Sequence, residues 1–434
     1  MRSKWPVVLA VAAIALGGGL VACGDDDEEG AGAGVGGEAA PEASFQLAVG
    51  DLVPLTGDLS VFGPPGRKAA DLSVEQIRTA IDEVGSDIQL SIDHADTETA
   101  SQAAVQAARQ LISGGASCLT GAWASANTIP VGTSVAARQR VPQISPASTS
   151  AEISTLDDNG FVFRTAPSDN LQGVALADTV EQELGGTDFT VSLAARNDAY
   201  GEGFINRFKE AWKSRGGSTT GPMLYDPQQP SYNSEAGRIV SGNPDAYVII
   251  DFPDTYARMG AALARTGEFD ASKLFTADGL AADEIPKGVP RRALAGAKGT
   301  RPGTPEAGEA VKRFGTLFEE AGGPARGTFD AHNFDAVMMC FLAATAAGSS
   351  EGTDIQAALR DVSAPPGDKF DFLALPDAVR ALQEGRDIDF DGVTGPIDWD
   401  ENGDPTTATY EVWTYGDDGA LEVMRQFEAK QEQE

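Results

Sequence analysis

Histidine, cysteine and basic residues are scarce in this sequence, and each scarcity excludes a class of function. The two histidines, His94 and His332, are far apart, and no HExxH, GxSxG, CxxC or Walker loop motif occurs. The common signatures of nucleophilic and metal-dependent hydrolysis are therefore missing, and we predict a protein that is not an enzyme, without cofactor or metal. The chain has 65 acidic and 32 basic residues and a net charge of -33, which argues against nucleic acid and anionic membrane surfaces as partners.

An apolar run lies near the N-terminus. Arg2 and Lys4 precede the apolar residues 7–20, a run that is too short for a comfortable membrane span and is typical of a secretory signal. The following Leu20-Val21-Ala22-Cys23 resembles the bacterial lipobox, in which the signal is cut before a cysteine that is then lipid-modified. The resemblance implies a lipoprotein signal peptide at residues 1–22 and a lipid anchor on Cys23 at the extracytoplasmic face of the cell membrane. An ordinary signal peptide with an incidental cysteine is the alternative.

Residues 23–44 are acidic, rich in glycine and low in complexity, so we predict a flexible linker. The segment contains Gly32-x-Gly34-x-x-Gly37, which formally matches a dinucleotide-binding fingerprint. No strand precedes this match and no helix follows it, and we therefore reject it.

Two further cysteines, Cys118 and Cys340, form an even pair in a chain that we predict to be exported. Cys118 lies in an apolar strand-like segment and Cys340 in an apolar helix-like segment, where small buried thiols are common. The sequence favours buried thiols over a disulfide and leaves both alternatives open.

From residue 45 onwards, strand-like and helix-like segments alternate in two successive series. Repeated βα units imply parallel sheets with helices on both faces. We therefore predict an α/β fold of two doubly wound parallel-sheet lobes with a central ligand cleft. The expected boundaries are residues 45–165 plus 292–394 for lobe 1, 166–291 plus 395–427 for lobe 2, and a polar tail at 428–434.

Two hydroxyl-rich turns follow the predicted strands at residues 117–121 and 141–144. The first turn contains Ser125, and the second contains Ala147 and Thr149. Ligands of open parallel sheets bind beyond the carboxyl ends of the strands, so both turns would offer donors to an anion such as a carboxylate. The alternative, which this stretch alone favours, is that Ser125 and Thr149 only cap helices.

Aromatic residues and one carboxylate flank the same predicted edge. Trp123 lies inside the first turn, Phe62 follows the first strand and Phe252 follows another strand, and each could floor a side-chain pocket. Asp278 comes at the end of a further strand, where it would complement an ammonium ion. A plain turn aspartate is the alternative.

The acidic segment Asp387-x-Asp389-x-Asp391-Gly392 has the spacing of a calcium loop that would close at Asp398. It is not flanked by two clear helices, and we assign no metal to it.

Seven short motifs occur in a specific order and spacing along the chain from about residue 45 to 427. They are Pro54-Leu55-Thr56-Gly57, Ile144-Ser145-Pro146-Ala147-Ser148-Thr149-Ser150, Phe163-Arg164-Thr165 with Ser168-Asp169, Asn197-Asp198-Ala199-Tyr200-Gly201-Glu202-Gly203, Asp278-Gly279, Asn333-Phe334-Asp335-Ala336 and Gly395-Pro396-Ile397-Asp398-Trp399-Asp400. Together they resemble the type I periplasmic solute-binding proteins of ABC importers, in particular the branched-chain amino acid (Leu/Ile/Val) binding subfamily.

The resemblance implies two α/β lobes that are joined by three crossing segments and close on a ligand. By match to the family's motifs, the ligand carboxylate would meet the hydroxyl and N–H of Ser125 and the hydroxyl and N–H of Thr149. The ligand ammonium would meet the Ala147 carbonyl, Thr149 and Asp278. The aromatic residues that the family pattern places around the ligand are Tyr200 and Phe252 from the second lobe, with Phe62, Trp123 and Phe329.

Three residues depart from the branched-chain pattern. Trp123 stands where the family carries a smaller aliphatic residue, Phe252 stands where a tyrosine is usual, and Asp278 is one methylene shorter than the usual Glu. We therefore expect an amino acid or amino acid-like ligand without committing to a branched one.

The predicted function is that of a monomeric, lipid-anchored solute-binding protein that delivers its ligand to an ABC transporter permease. A ligand-sensing receptor module of the same fold, or a binder of an amide, urea or small carboxylate, is the alternative.

Overall fold

Two large β-sheets organise the chain. The computed structural model describes residues 44–431, so the predicted signal peptide, Cys23 and nearly all of the predicted linker lie outside the described residues. The strands are β1 Gln46–Val53, β2 Gln89–Asp96, β3 Cys118–Thr120, β4 Gln143–Ser145, β5 Val162–Arg164, β6 Thr190–Arg196, β7 Ser218–Tyr225, β8 Ala246–Ile250, β9 Leu274–Thr276, β10 Lys298–Pro302, β11 Asp368–Phe370, β12 Ile388–Gly392, β13 Gly395–Pro396, β14 Thr407–Tyr415 and β15 Leu421–Lys430.

Helices cover both faces of the sheets. The α-helices are α1 Gly63–Val84, α2 Ser101–Ser113, α3 Ser125–Val131, α4 Ala137–Gln139, α5 Asp169–Leu184, α6 Ala199–Ser214, α7 Asn233–Val240, α8 Pro253–Thr266, α9 Arg291–Leu294, α10 Glu309–Glu320, α11 Asp330–Ala347, α12 Gly352–Ala358 and α13 Leu375–Gln383. A π-helical turn, Gly132–Ala136, joins α3 to α4, and short 3-10 helices span Ala151–Thr155, Ala271–Lys273, Asp278–Leu280 and Phe372–Ala374.

The first sheet has the strand order β2-β1-β3-β4-β5, and all of its strands are parallel. Side chains alternate between the faces of a strand, so Leu47 and Val49 of β1 join the core on one face and Leu52 joins the core on the other. The first of these cores contains α11, which is buried from Asp330 to Thr345 and is apolar on all sides from Ala336 to Ala344.

The second sheet has the order β15-β14-β10-β9-β8-β6-β7. Strands β10, β9, β8, β6 and β7 are parallel, and the antiparallel hairpin of β14 and β15 extends the sheet beside β10. The predicted α/β fold with two doubly wound lobes is therefore confirmed, with an antiparallel edge on the second sheet. We call the parts built on the two sheets the first and second lobes.

The structure differs from the predicted lobe boundaries at two places in the second sheet. Strand β10, which we had assigned to lobe 1, pairs with β9 and β14 of the second sheet. Residues 428–430, assigned to the polar tail, belong to β15, because their backbone pairs with residues 407–409 of β14. Pairing satisfies the backbone polar groups whatever the side chains are, and a polar composition therefore does not prevent strand formation at an edge.

A disulfide joins Cys118 of β3 to Cys340 of α11, with the two Cα atoms 6.0 Å apart. The favoured alternative of two buried thiols is therefore wrong. Both half-cystines are fully buried, which explains why the apolar sequence context alone pointed to thiols. The bond ties the first sheet to a helix that lies 222 residues further along the chain.

The acidic segment that offered a calcium loop is mostly strand β12. The Lys369 ammonium lies 3.1 Å from a carboxylate oxygen of Asp389 and 3.1 Å from one of Asp391. Among residues 44–431, no group of three or more His, Cys, Asp or Glu residues is arranged to hold a metal ion. The structure thus gives the calcium alternative no support.

Within residues 44–431, no helix combines the length and the apolar character that a bilayer span requires.

A partly buried histidine fixes the first sheet to α1. His94 of β2 lies between two carboxylates, with Nδ1 2.7 Å from Asp51 Oδ2 and Nε2 2.9 Å from Asp71 Oδ1. Burial favours the neutral ring, but the hydrogen bonds and charges of Asp51 and Asp71 outweigh it and raise the pKa of His94 to about 9. His94 is therefore protonated at neutral pH and neutralises the fully buried Asp51.

The raised pKa of His94 makes a prediction about stability. Protonated His94 stabilises the fold fully below pH 6.5, and this contribution is lost as the pH rises through about 9. In the wild type, we expect the free energy of unfolding to fall by about 1 to 2 kcal/mol between pH 6.5 and about 9, and His94→Gln should lack this fall. Urea titrations of both proteins from acidic to alkaline pH measure this fall, and equal slopes for both would contradict the assignment.

Candidate ligand-binding site

A cavity lies between the carboxyl ends of the two sheets. Eight of the nine predicted site residues line it, and Thr149 is the exception. The cavity is lined by Leu59, Phe62, Trp123, Ser125, Ala147, Tyr200, Phe252, Asp278, Gly279 and Phe329. The two hydroxyl-rich turns and the strand-end carboxylate, which are far apart in sequence, therefore meet at one place.

Hydrogen bonds join the two turns of the first lobe. The Ser148 hydroxyl is 2.7 Å from the Trp123 carbonyl and 2.7 Å from the Thr128 hydroxyl. The Ser150 N–H donates to Ser125 Oγ at 3.2 Å. Because Ser125 Oγ accepts this bond, its own proton is free to be donated into the cavity.

The helix-capping alternative for these residues is wrong. Ala124 occupies the N-cap of α3, and Ser125 is the first residue of that helix. Ser150 and Ser168, rather than Thr149, cap the helices that follow the second turn. Thr149 is fully buried, and its hydroxyl lies beside the buried Asp169 carboxylate.

Two aromatic residues of the cavity wall have left-handed backbone conformations. Trp123 has φ 69° and Phe329 has φ 71°, and their rings meet edge to face with centroids 6.4 Å apart. Bulky residues seldom adopt positive φ, and such strain concentrates at functional sites. The surrounding contacts therefore hold both rings at the cavity in spite of an unfavourable backbone.

Asp278 forms the opposite wall at the end of β9. Its side chain is 3% exposed, and its Oδ1 accepts from Gln172 Nε2 at 2.8 Å and from the Tyr200 hydroxyl at 3.2 Å. Burial raises the pKa of Asp278 to about 7, although both hydrogen bonds act in the opposite direction. No ion pair reaches Asp278 from any other residue within 44–431. A buried carboxylate of this kind is complementary to a cation.

The ring of Tyr200 stacks on Phe252, with centroids 5.0 Å apart and planes inclined by 12°. The Tyr200 hydroxyl also accepts the Gly279 N–H at 3.1 Å, so one side chain holds both the carboxylate and the turn that carries it. On Phe252, the Arg196 guanidinium carbon lies 3.8 Å from the ring centroid. The aromatic pair is thus fixed by polar contacts at both ends.

Sequence reasoning missed several residues that contribute to the site. Leu59 and Gly279 line the cavity, and Gln172 holds Asp278. Asp169 is fully buried, and the Thr149 hydroxyl is the side-chain donor beside its carboxylate. Burial and the charge of Asp278 raise its pKa well above the ordinary range. The Ser168-Asp169 motif was the available signal in the sequence, but it does not indicate that Asp169 is buried.

Comparison with known proteins identifies the family. Residues 46–420 match the family model of the periplasmic binding proteins. The Leu/Ile/Val-binding protein homolog 3 of Brucella melitensis is 29% identical over 191 residues, which are 44% of this chain. The aligned part spans 50% of that relative's length.

Two solved structures share the fold. One is the branched-chain amino acid transporter substrate binding protein LivJ from Streptococcus pneumoniae in complex with isoleucine, with 19% identity and a TM-score of 0.71. That alignment covers 89% of this chain and 100% of the other. The second is an ABC transporter solute binding protein from R. palustris in complex with benzoate, with 18% identity, a TM-score of 0.68, and 88% and 96% of the two chains covered.

The chain therefore belongs to the periplasmic binding protein family, and it has the type I fold of the branched-chain amino acid subfamily. The family and the fold are those of solute-binding proteins and not of enzymes.

The position of Trp123 depends on a glycine in α1. A Cβ atom added at Gly66 would lie 2.2 Å from Cζ2 of Trp123, so Gly66→Ala must displace the indole. We expect a loss of about 1 to 3 kcal/mol in the free energy of unfolding and an altered tryptophan near-ultraviolet circular dichroism signal.

Gly237→Ala in α7 is the matched control, because no atom lies within 4 Å of the added Cβ and alanine is the better helix former. Equal stability of the Gly66 and Gly237 variants would contradict the packing that we describe for Trp123.

Proposed function

We propose that this protein captures an amino acid or amino acid-like molecule in the cavity between its lobes and delivers it to an ABC transporter permease. The observation that carries the proposal is the placement of Ser125 and Asp278 on opposite sides of one cavity. A hydroxyl donor on one wall and a buried carboxylate on the other are complementary to the two ends of a zwitterion.

In this proposal the ligand carboxylate accepts from the Ser125 hydroxyl and from the N–H groups at Ser125 and Thr149. The N–H of Ser125, the first residue of α3, has no acceptor within its own helix. The ligand ammonium donates to Asp278 and the Ala147 carbonyl. Each charge-assisted bond contributes about 1.5 to 3 kcal/mol, part of which is offset by the cost of ordering and closing the lobes.

The ligand side chain is proposed to lie among Phe62, Trp123, Phe252 and Phe329. These residues form an aromatic wall without a charged group, so the wall favours a flat or compact apolar side chain.

An aromatic carboxylate is the second candidate ligand. The aromatic wall supports it, and a solved structure of the same fold contains benzoate. Such a ligand carries no ammonium group, so Asp278 would have to be neutral, as it is below its pKa of about 7. The two candidates therefore predict opposite pH dependences of binding.

We further propose that the chain acts at the extracytoplasmic face of the membrane as a monomer that is anchored through lipid on Cys23. The lipobox-like Leu20-Val21-Ala22-Cys23 and the acidic, glycine-rich residues 24–43 support this arrangement. The family is that of periplasmic binding proteins, which is consistent with an extracytoplasmic location.

A thermal-shift screen tests the ligand class. A ligand at 100 times its dissociation constant stabilises the folded state by about 2.7 kcal/mol, so an amino acid ligand should raise the melting temperature by several degrees. The screen should include the standard amino acids and benzoate. Stabilisation by none of the amino acids would contradict the proposal, and stabilisation by benzoate alone would favour the second candidate.

Replacing Trp123 tests the aromatic wall. Trp123→Leu restores the smaller aliphatic residue of the branched-chain pattern, and we expect the ligand preference to shift by about tenfold towards bulkier side chains because the cavity becomes wider. Each variant is compared with its own ligand-free melting temperature, since removing a buried indole also destabilises the fold. An unchanged order of ligand preference would show that Trp123 does not determine ligand specificity.

Replacing Asp278 tests recognition of the ammonium group. We expect Asp278→Asn to weaken binding of an amino acid by about tenfold or more at pH 8, because a charge-assisted bond is lost. In the wild type, affinity should rise as the pH increases through about 7, where Asp278 loses its proton, and the variant should lack this rise. Calorimetric titrations at pH 6 and 8 measure both effects, and equal dissociation constants would exclude Asp278 from the site.

A further inference from the structure

One side chain of the first lobe reaches across the cleft to the second lobe. Asp58 lies in the loop of residues 54–62 between β1 and α1, and its Oδ2 is 3.1 Å from Arg196 Nη2 and 3.0 Å from Thr255 Oγ1. Arg196 ends β6, and Thr255 lies in the first turn of α8, so both partners belong to the second lobe.

The loop that carries Asp58 is fixed to its own lobe. Asp96 accepts from the N–H groups of Leu55 and Thr56 at 3.0 and 3.1 Å, and from the Thr56 hydroxyl at 2.7 Å. Gly57 has φ 85°, and a Cβ atom there would lie 2.1 Å from the Glu98 carbonyl oxygen, so the tight turn requires glycine. Contacts within the first lobe therefore fix the position of the loop that carries Asp58, independently of its contacts with the second lobe.

The partners of Asp58 are equally well fixed. Arg196 donates to Asp198 at 2.5 Å and lies 3.7 Å from Asp251, and both contacts lie within the second lobe. Burial opposes the charge of Arg196, but the carboxylates of Asp198, Asp251 and Asp58 raise its pKa. The Asp58 and Arg196 side chains are 19% and 5% exposed, so water screens their contact only partly.

The contact adjoins the cavity on both sides. Leu59 and Phe62 of the Asp58 loop line the cavity, and Phe252, which lies against the Arg196 guanidinium, lines it from the other lobe. Separation of the lobes would break both bonds to Asp58 and would move these wall residues apart.

We propose that Asp58 is a positioning residue that holds the cleft closed through Arg196 and Thr255, without touching the ligand. The inference rests on the proposed function in taking this cavity as the ligand site. In this inference, the ion pair across the cleft controls how readily the two walls of the site come together. Differential stabilisation of the closed form then raises the affinity for any ligand that binds that form.

Small-angle X-ray scattering of the purified chain without added small molecules tests the inference. We expect Asp58→Asn to lower the ratio of closed to open molecules by about fivefold, seen as a larger radius of gyration. Thr255→Val, which removes one bond to Asp58 while keeping the side-chain volume, should lower the ratio by about twofold. The double variant should resemble Asp58→Asn, since both changes remove contacts of one carboxylate.

The matched control is Asp377→Asn in α13. Asp377 is paired with Arg380 at 2.7 Å on the exposed surface of the first lobe, so its loss should leave the scattering curve unchanged. Raising the concentration of NaCl from about 0.05 M to about 0.5 M should increase the radius of gyration of the wild type more than that of Asp58→Asn, because salt weakens the partly exposed ion pair.

Superimposable curves for the wild type and Asp58→Asn would overturn the inference. A lower melting temperature without a change in scattering would also overturn it, because that result is expected of a residue that only stabilises its own loop. The experiment uses no ligand, so a thermal-shift screen without a hit, combined with an opened Asp58→Asn variant, would refute only the proposed ligand class.

Discussion

The burial of the Asp278 carboxylate is the constraint on which the site depends. Two other buried carboxylates of this protein have a cation within the chain: Asp404 pairs with Arg164 at 2.6 Å, and Asp51 pairs with His94 at 2.7 Å. Among the described residues Asp278 has only the neutral donors Gln172 and Tyr200, and its pKa is raised to about 7. A buried carboxylate without a cation is costly, so a ligand ammonium would relieve a cost that the folded protein already carries.

The same constraint explains the arrangement of the surrounding groups. The Tyr200 hydroxyl fixes Asp278 and the Gly279 turn together, and the ring stacks on Phe252, so the polar and aromatic walls of the second lobe form one unit. The Arg196 guanidinium lies over the Phe252 ring of this unit and donates a hydrogen bond to Asp58 of the first lobe. In the function that we propose, ligand recognition and lobe closure would thus depend on one continuous set of side chains, which is a physical basis for coupling them.

Local features of the sequence were sufficient to predict the strand ends and the residues that follow them. Ser125, Trp123 and Asp278 follow short apolar runs, and parallel strands bring their carboxyl ends to one edge. Pairing between distant segments was not predictable in this way. Strand β10 joins the second sheet through partners on both sides, the Cys118 bond spans 222 residues, and Asp58 meets Arg196 across the cleft between the lobes. The burial of Asp169 likewise depends on packing between segments, which its motif does not encode.

A crystal structure of the protein with the amino acid that gives the largest thermal shift would test the central claim most directly. We predict that the ligand lies in the cavity between the lobes, with its amino nitrogen about 3 Å from an Asp278 carboxylate oxygen and its carboxylate at Ser125. A ligand bound elsewhere, or one whose amino group points away from Asp278 within the same cavity, would contradict the account.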